Sequence, residues 1–442
     1  MKNLRTFNRG GVHPPDGKGP TSARPIRNAP LPSVAVVPFS QHIGAPAKPL
    51  VAVGDHVEET QLIGEPAGFV SASVHSPIPG TVKEIRRIYL PNGVSSDAAV
   101  IELDGEFSHL GKPEQRRDWS GLESAAILDI LKTHGVVGQG GATFPSHVKF
   151  AVPKGKSCDA FLVNAAECEP YLAADHRLML EKTEDIIEGI LIIRRLLNPE
   201  RIVIGIEANK ADAIAALRAA GSRHGIEVMP LKVKYPQGAE KNLIEATLGR
   251  EVPSGQLPIE VGVINANVGT LLSVCEAVRD DKPVIERVVT VSGGAVREPG
   301  NIRARVGTAV RDLIEECGGL SGDEVKFVSG GPMMGFAFSD LDTPVTKGTS
   351  GILALTEREV RSYAPTACLS CGRCVDACPM GLMPTAIFKN IEHERLDEAA
   401  AIGLDDCVLC GACAWACPAH IPLVSAFRAA RGRRRRLAAR KA

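Results

Sequence analysis

Residues 368–378 read Cys368-Leu-Ser-Cys371-Gly-Arg-Cys374-Val-Asp-Ala-Cys378, and residues 407–417 read Cys407-Val-Leu-Cys410-Gly-Ala-Cys413-Ala-Trp-Ala-Cys417. A proline follows each run, at Pro379 and Pro418. Three thiolates at C-x2-C-x2-C spacing wrap three irons of one cubane, and the fourth cysteine, before the proline, ligates the other cluster. The spacing therefore assigns one [4Fe–4S] cluster to Cys368, Cys371, Cys374 and Cys417, and a second to Cys407, Cys410, Cys413 and Cys378. Structural zinc uses C-x2-C pairs, but not three cysteines at this spacing closed twice by x3-Cys-Pro. Disulfides need an oxidising compartment, and Met1-Lys-Asn-Leu-Arg5 opens without an apolar signal core. Two adjacent clusters carry single electrons, and what feeds them must lie in the rest of the chain.

At 442 residues the chain has room for about three domains. Its 44% hydrophobic and 23% charged residues are those of an ordinary globular protein. A formal net charge of zero gives no electrostatic case for nucleic acid. No run of about eighteen apolar residues occurs. The best apolar segment, around Ile186 to Leu197, is interrupted by Glu188, Arg194 and Arg195 and reads as an amphipathic helix. A cytoplasmic protein is expected, with membrane association only through partners or a surface patch.

Residues 1–30, rich in Gly, Pro and Arg, read as an extended arm ordered where it lies on something, with His13 a solvated or capping histidine. Residues 31–110 are all-β, with strands expected at Val34–Pro38, Pro49–Val53, Thr81–Ile85 and Ala99–Leu103. Their turns resemble a lipoyl-type barrel-sandwich hybrid. The hairpin tip has no lysine for a prosthetic group, so the unit reads as a docking module. From 115 to 282 strands and helices alternate, which argues for a largely parallel sheet covered on both faces. A single helix is expected near Arg177–Leu197. Residues 283–345 form a smaller mixed unit, 358–428 the cysteine domain, and 429–442 a basic tail. The tail is a solvated end or an attraction to an anionic membrane surface.

The loop Gly138-Gln-Gly140-Gly141 offers unobstructed backbone N–H groups, the makings of an anion nest. An ordinary tight turn has the same composition. Next, Val163-Asn164-Ala-Ala-Glu167-Cys168-Glu169 leaves a strand at its carboxyl end, where open α/β sheets place ligands. Asn164, Glu167 and Glu169 suit an isoalloxazine edge or a ribose, and equally a helix cap with solvated carboxylates. Lys149 suits a phosphate or the surface. Cys158, Cys275 and Cys317 read as packing thiols, and Cys168 as a lone turn cysteine without a redox motif.

In order along the chain come Gly10-Gly-Val-His-Pro-Pro15, Gly140-Gly-Ala-Thr-Phe-Pro145, Asn164-Ala-Ala-Glu-Cys-Glu-Pro-Tyr-Leu-Ala-Ala-Asp175, Lys234-Tyr-Pro-Gln-Gly238, Asn267-Val-Gly-Thr270, Gly330-Gly-Pro-Met-Met-Gly335 and both cysteine runs. Together these resemble the RnfC (RsxC) family, the peripheral electron-input subunit of Rnf ion-translocating oxidoreductases. The middle of the chain also resembles the flavin- and NADH-binding subunit of respiratory complex I. Residues 283–328 resemble the soluble-ligand-binding β-grasp (SLBB) module of that subunit.

The resemblance implies a multidomain α/β plus α+β protein: a barrel-sandwich hybrid, a complex I-like flavin domain, an SLBB β-grasp module and a ferredoxin-like domain with two [4Fe–4S] clusters. It implies noncovalent FMN with NADH as substrate. The implied flavin and nucleotide residues are Gly138, Gly140, Gly141, Phe144, Lys149, Asn164, Glu167, Glu169, Tyr235, Gly238, Glu240, Asn267 and Thr270. It implies partners among the other Rnf subunits, including the ferredoxin-like and membrane-embedded flavin subunits, with ferredoxin reached indirectly and no nucleic acid. It also implies a peripheral position on the cytoplasmic side of the inner membrane. Thr143 stands where the family usually has glycine, so a left-handed backbone there would have to differ. Ala166 replaces an aspartate and Ala239 the first of two glutamates of the complex I pattern. A cobalamin reductase-type flavin/iron–sulfur protein and a non-catalytic scaffold with a vestigial flavin site remain as other readings.

Overall fold

The computed structural model describes residues 4–108, 110–112, 116–360 and 363–441. Of the expected units, boundary residue 115, residue 109 of the barrel, residues 361–362 of the cysteine domain and the ends 1–3 and 442 lie outside the described residues. In the all-β unit two antiparallel sheets enclose one apolar core. One sheet orders Val34–Pro38, Ser95–Leu103, Gly80–Tyr89 and His56–Val57; the other orders Lys48–Pro49, Leu62–Glu65 and Val74–His75. Val37, Val57, Ile63, Val74, Val82 and Ile101 fill the space between them. The strand expected at Pro49–Val53 stops at Pro49. The Asp55 carboxylate accepts the Ala52 N–H at 2.8 Å and turns the chain, leaving Val53 exposed.

In the α/β unit all four strands are parallel, in the order Glu227–Leu231, Arg201–Glu207, Ala160–Ala165, Val263–Asn267. The chain steps outward through the first three strands it forms and then returns to the other side of Ala160–Ala165. The order therefore reverses between Ala160–Ala165 and Val263–Asn267. Such a reversal opens a crevice at the carboxyl ends, where this class of sheet binds ligands. Both faces are covered: helices Thr183–Leu197 and Val268–Asp280 pack on one and Glu240–Leu248 on the other. The helix expected near Arg177–Leu197 is two, Ala174–Glu181 and Thr183–Leu197. Lys182 leaves helical geometry between them, and Glu184 and Asp185 give the second helix a favourable acidic first turn.

The smaller mixed unit is larger than its sequence suggests. Its six-stranded sheet orders Arg27–Asn28, Gly300–Arg305, Glu286–Ser292, Gly351–Thr356, Glu324–Ser329 and Phe336–Phe338. One edge strand thus comes from the N-terminal arm and a central one from beyond residue 345. The arm also touches the α/β unit and the cysteine domain, and its Phe7 is fully buried. In the cysteine domain the two runs fold alike. Gly372 and Gly411, both with φ near +80°, start one-turn helices at Arg373–Asp376 and Ala412–Trp415. In both runs the amide two residues beyond the first cysteine, of Ser370 and of Leu409, reaches that cysteine's sulfur at 3.4 Å. The basic tail is no loose end: it continues the helix Leu423–Lys441, with Arg433 paired to Glu394 and Arg434 to Asp405. Among the described residues no helix is long and apolar enough to cross a membrane.

Candidate functional site

Asn164 and Asn267 are register partners at the carboxyl ends of the two strands that flank the reversal. The glycine loop closes over them. Its base is pinned by the Gly138 N–H donating to the Phe144 carbonyl at 2.8 Å. Gln139 is buried beneath it, where its N–H donates to Thr270 Oγ1 at 2.9 Å and Arg287 holds its carbonyl at 2.8 Å. Gly140 and Gly141 are exposed above this anchor. A Cβ at Gly140 would lie 3.1 Å from the Asn267 Cβ, whereas one at Gly141 would meet nothing within 4 Å. Among the described residues no protein acceptor faces the Gly140 or Gly141 amide. Free amides above open space suit an anionic group such as the phosphate of FMN. Thr143 does take the left-handed backbone, at φ +49°, so that geometry survives without glycine. Room for its methyl comes from Gly348, where a Cβ would lie 2.5 Å away.

Around this loop stand further expected residues. Lys149 Nζ donates to Asn265 Oδ1 at 2.6 Å and pairs with Glu240 at 3.0 Å. Asn164 Nδ2 donates to the Gly238 carbonyl at 2.8 Å. Four other expected residues turn elsewhere. Thr270 is buried under the loop as the acceptor for Gln139. Glu167 caps helix Ala174–Glu181, accepting the Asp175 N–H at 2.6 Å, and burial pushes its carboxyl up to about 7 despite Lys18 nearby. Tyr235 OH donates to the Cys410 carbonyl at 2.7 Å and lies 3.2 Å from Glu169 Oε1. Glu169 also accepts the Met333 N–H at 3.2 Å, and burial raises its carboxyl to about 7.

Tyr235 and Glu169 therefore face the cysteine domain. There Cys378, Cys407, Cys410 and Cys413 line one apolar cavity, with Pro379, Leu382 and Phe427. Burial, with repulsion from neighbouring cysteines, pushes the thiols of Cys407, Cys410 and Cys413 up, Cys410 to about 12. Four thiols converging on an apolar hollow fit a metal cluster that displaces their protons. Cys368 and Cys371 are exposed, while Cys374 and Cys417 share the core of the domain. Cys158, Cys275 and Cys317 are buried packing thiols, as read from the sequence.

Four family models match in series: an RnfC barrel sandwich hybrid domain over residues 6–106, a Nuo51 FMN-binding domain over 131–276, an SLBB domain over 288–337 and a 4Fe-4S dicluster domain over 367–421. A component of the proton-translocating ferredoxin:NAD(+) oxidoreductase complex of Clostridium ljungdahlii is 47% identical, over 87% of this chain and 84% of its own length. The chain belongs to the RnfC family. The equivalent component of the Na(+)-translocating ferredoxin:NAD(+) oxidoreductase complex of Acetobacterium woodii is 42% identical, over 96% of both chains. That of an ion-translocating oxidoreductase complex of Rhodobacter capsulatus is 41% identical, over 97% of this chain and 84% of its own. A solved NAD+-reducing [NiFe]-hydrogenase covers 64% of this chain and 57% of its own at 19% identity and a TM-score of 0.49.

This RnfC chain uses residues that no spacing singles out. Lys18 of the arm is buried, and its Nζ donates to the carbonyls of Glu167 at 2.5 Å and Leu172 at 2.7 Å. Arg431 of the tail donates to the Cys407 carbonyl at 2.8 Å. Asp175 accepts from Asn267 Nδ2 at 2.6 Å, while Asn267 Oδ1 caps helix Val268–Asp280 by accepting the Gly269 N–H at 2.9 Å. Asn267→Ala should therefore lower stability by about 1 kcal/mol through the lost cap, with more lost by stranding the Asp175 carboxylate. Asn267→Asp keeps the cap but sets one carboxylate against another, so it should melt no higher than Asn267→Ala. Thermal melts of the two variants check the order.

Proposed function

We propose that this chain is the peripheral electron-input subunit of an ion-translocating ferredoxin:NAD+ oxidoreductase complex, working with the other Rnf subunits. The observation that carries this is the continuity between the glycine-loop crevice and the four-cysteine cavity. Cys168, which accepts the Gly238 N–H at 3.2 Å on the crevice side, packs in one apolar cluster with Tyr235 and Cys410. When bound, FMN and two [4Fe–4S] clusters would supply hydride acceptance and one-electron relay. Gly140 and Gly141 would receive the FMN phosphate, with Asn164, Gly238 and Asn267 at the crevice floor and Lys149 and Glu240 at its rim. Cys407, Cys410, Cys413 and Cys378 would hold the inner cluster. Cys368, Cys371, Cys374 and Cys417 would hold the outer one, whose exposed loop suits hand-over to a partner. A peripheral seat on the cytoplasmic side of the membrane follows, because NADH is found there.

The test is anaerobic addition of NADH to the full chain loaded with FMN, iron and sulfide, followed by EPR. Flavin bleaching and a reduced-cluster signal are expected. Clusters that dithionite reduces and NADH does not would turn the reading towards a scaffold with a vestigial flavin site.

A further inference from the structure

The interface between the α/β unit and the cysteine domain contains unusual parts. The Val12 N–H donates to the Tyr235 carbonyl at 2.8 Å and the Tyr235 N–H returns to the Val12 carbonyl at 2.9 Å, a two-residue antiparallel bridge. One residue earlier, the Gly11 N–H donates to the Ala377 carbonyl at 3.0 Å, beside Cys378. Gly10 has φ +60°, and a Cβ there would overlap the Cys378 peptide and lie 2.7 Å from the Pro379 nitrogen. Across the same joint the Tyr235 hydroxyl holds the Cys410 carbonyl. Two cysteines assigned to one cluster, from opposite cysteine runs, are thus gripped by a strap from the first dozen residues and by a tyrosine of the α/β unit.

We infer that Tyr235 and the Gly10–Val12 strap are a positioning joint. They fix the inner cluster at a set distance from the glycine-loop crevice and raise its reduction potential, so that electrons enter the cysteine domain through that cluster. This rests on the redox function proposed above. NADH is the reductant, and each cluster accepts one electron at a time. Tyr235 is 3% exposed and its hydroxyl has no water-facing role. A hydroxyl donating to a ligand's carbonyl draws charge from the ligand side and favours the more negative, reduced cluster. Removing it should lower the potential. Glycine at position 10 follows from contact as well as from φ: only a residue without a Cβ lets the strap lie on the Cys378 peptide.

The experiment compares the loaded full chain with Tyr235→Phe and Gly10→Ala under anaerobic stopped flow. NADH-driven flavin bleaching and cluster reduction are followed separately, and the cluster potentials are titrated by EPR. In Tyr235→Phe the cluster-reduction step should slow at least tenfold and the inner-cluster potential should fall, with iron content and dithionite reduction as in the parent. Gly10→Ala keeps the Tyr235 hydroxyl and should slow the same step. Hydrogen exchange of residues 407–413 should rise in both variants. Parent-like cluster reduction and potential in both overturn the joint. Slower flavin bleaching with a parent-like cluster step in Tyr235→Phe also overturns it, returning Tyr235 to the nucleotide. A parent chain whose flavin NADH does not bleach fails the redox function itself, and the joint with it.

Discussion

Cys378→Ala is expected to strip about half of the iron from the loaded chain, and to take it from the cluster of the second cysteine run. Sequence proximity suggests the opposite, since Cys378 lies four residues from Cys374 and twenty-nine from Cys407. In space, Cys378 closes the cavity that Cys407, Cys410 and Cys413 line. Pro379 explains the crossing. It ends the short helix that starts after Gly372 and sends the chain to the next helix, Pro384–Glu392, under the second loop. A cubane left with three thiolates on a half-buried loop loses its fourth iron and then falls apart. The reciprocal Cys417→Ala should empty the cluster of Cys368, Cys371 and Cys374. The pattern of spectra is decisive: Cys378→Ala should match Cys410→Ala, and Cys417→Ala should match Cys371→Ala. If Cys378→Ala matches Cys371→Ala instead, each run holds its own cluster and the crossed assignment is wrong.

Signals carried by short-range spacing were the legible ones. The cysteine runs, strand Val34–Pro38 and the glycine loop each follow from a local rule: ligand reach, a short apolar run between turns, or missing side chains. The fold class followed from the order of such segments. What was not legible depends on partners far away in the chain. Lys18 reads as an arm residue, yet it is buried on the carbonyls of Glu167 and Leu172 about 150 residues on. Tyr235 sits in a motif shared with nucleotide loops, and only tertiary packing turns its hydroxyl to Cys410. The arginine-rich tail has the composition of a solvated end. It is held as a helix because Glu394 and Asp405 of the preceding segments face it. Thr143 breaks the glycine expectation and still adopts φ +49°, because the accommodating gap is at Gly348, two hundred residues away in sequence.

The second large effect is expected at Lys347, which joins three units at the root of the glycine loop. It is fully buried, with Nζ donating to the carbonyls of Ser73 in the barrel at 2.7 Å and Gly135 before the loop at 2.8 Å. Its own N–H donates to Gln41 at 3.0 Å. No carboxylate pairs with it among the described residues, and burial lowers its ammonium to about 7. The neighbouring His75 and His42 are likewise pushed down by burial, so they add no positive charge. An unfolded lysine keeps its proton to about 10.4. Between about pH 7 and 10 the unfolded chain therefore binds more protons than the folded one, and stability must rise with pH by at most about 1.4 kcal/mol per unit. Below pH 7 both states are charged and this contribution is flat. Lys347→Met keeps the stem but removes the nitrogen, and so abolishes this slope. It also leaves two buried carbonyls without a donor, at about 1–3 kcal/mol each. The stability difference between parent and Lys347→Met should accordingly widen as pH rises from 7 to 9, read from melts at each pH with the same metal and flavin loading. A difference that stays constant would mean that Lys347 remains charged in the folded chain. Because Gly135 opens the loop that carries Gly140 and Gly141, the variant should also release FMN more readily than the parent at every pH. That loss separates a local loosening of the loop from a uniform fall in stability.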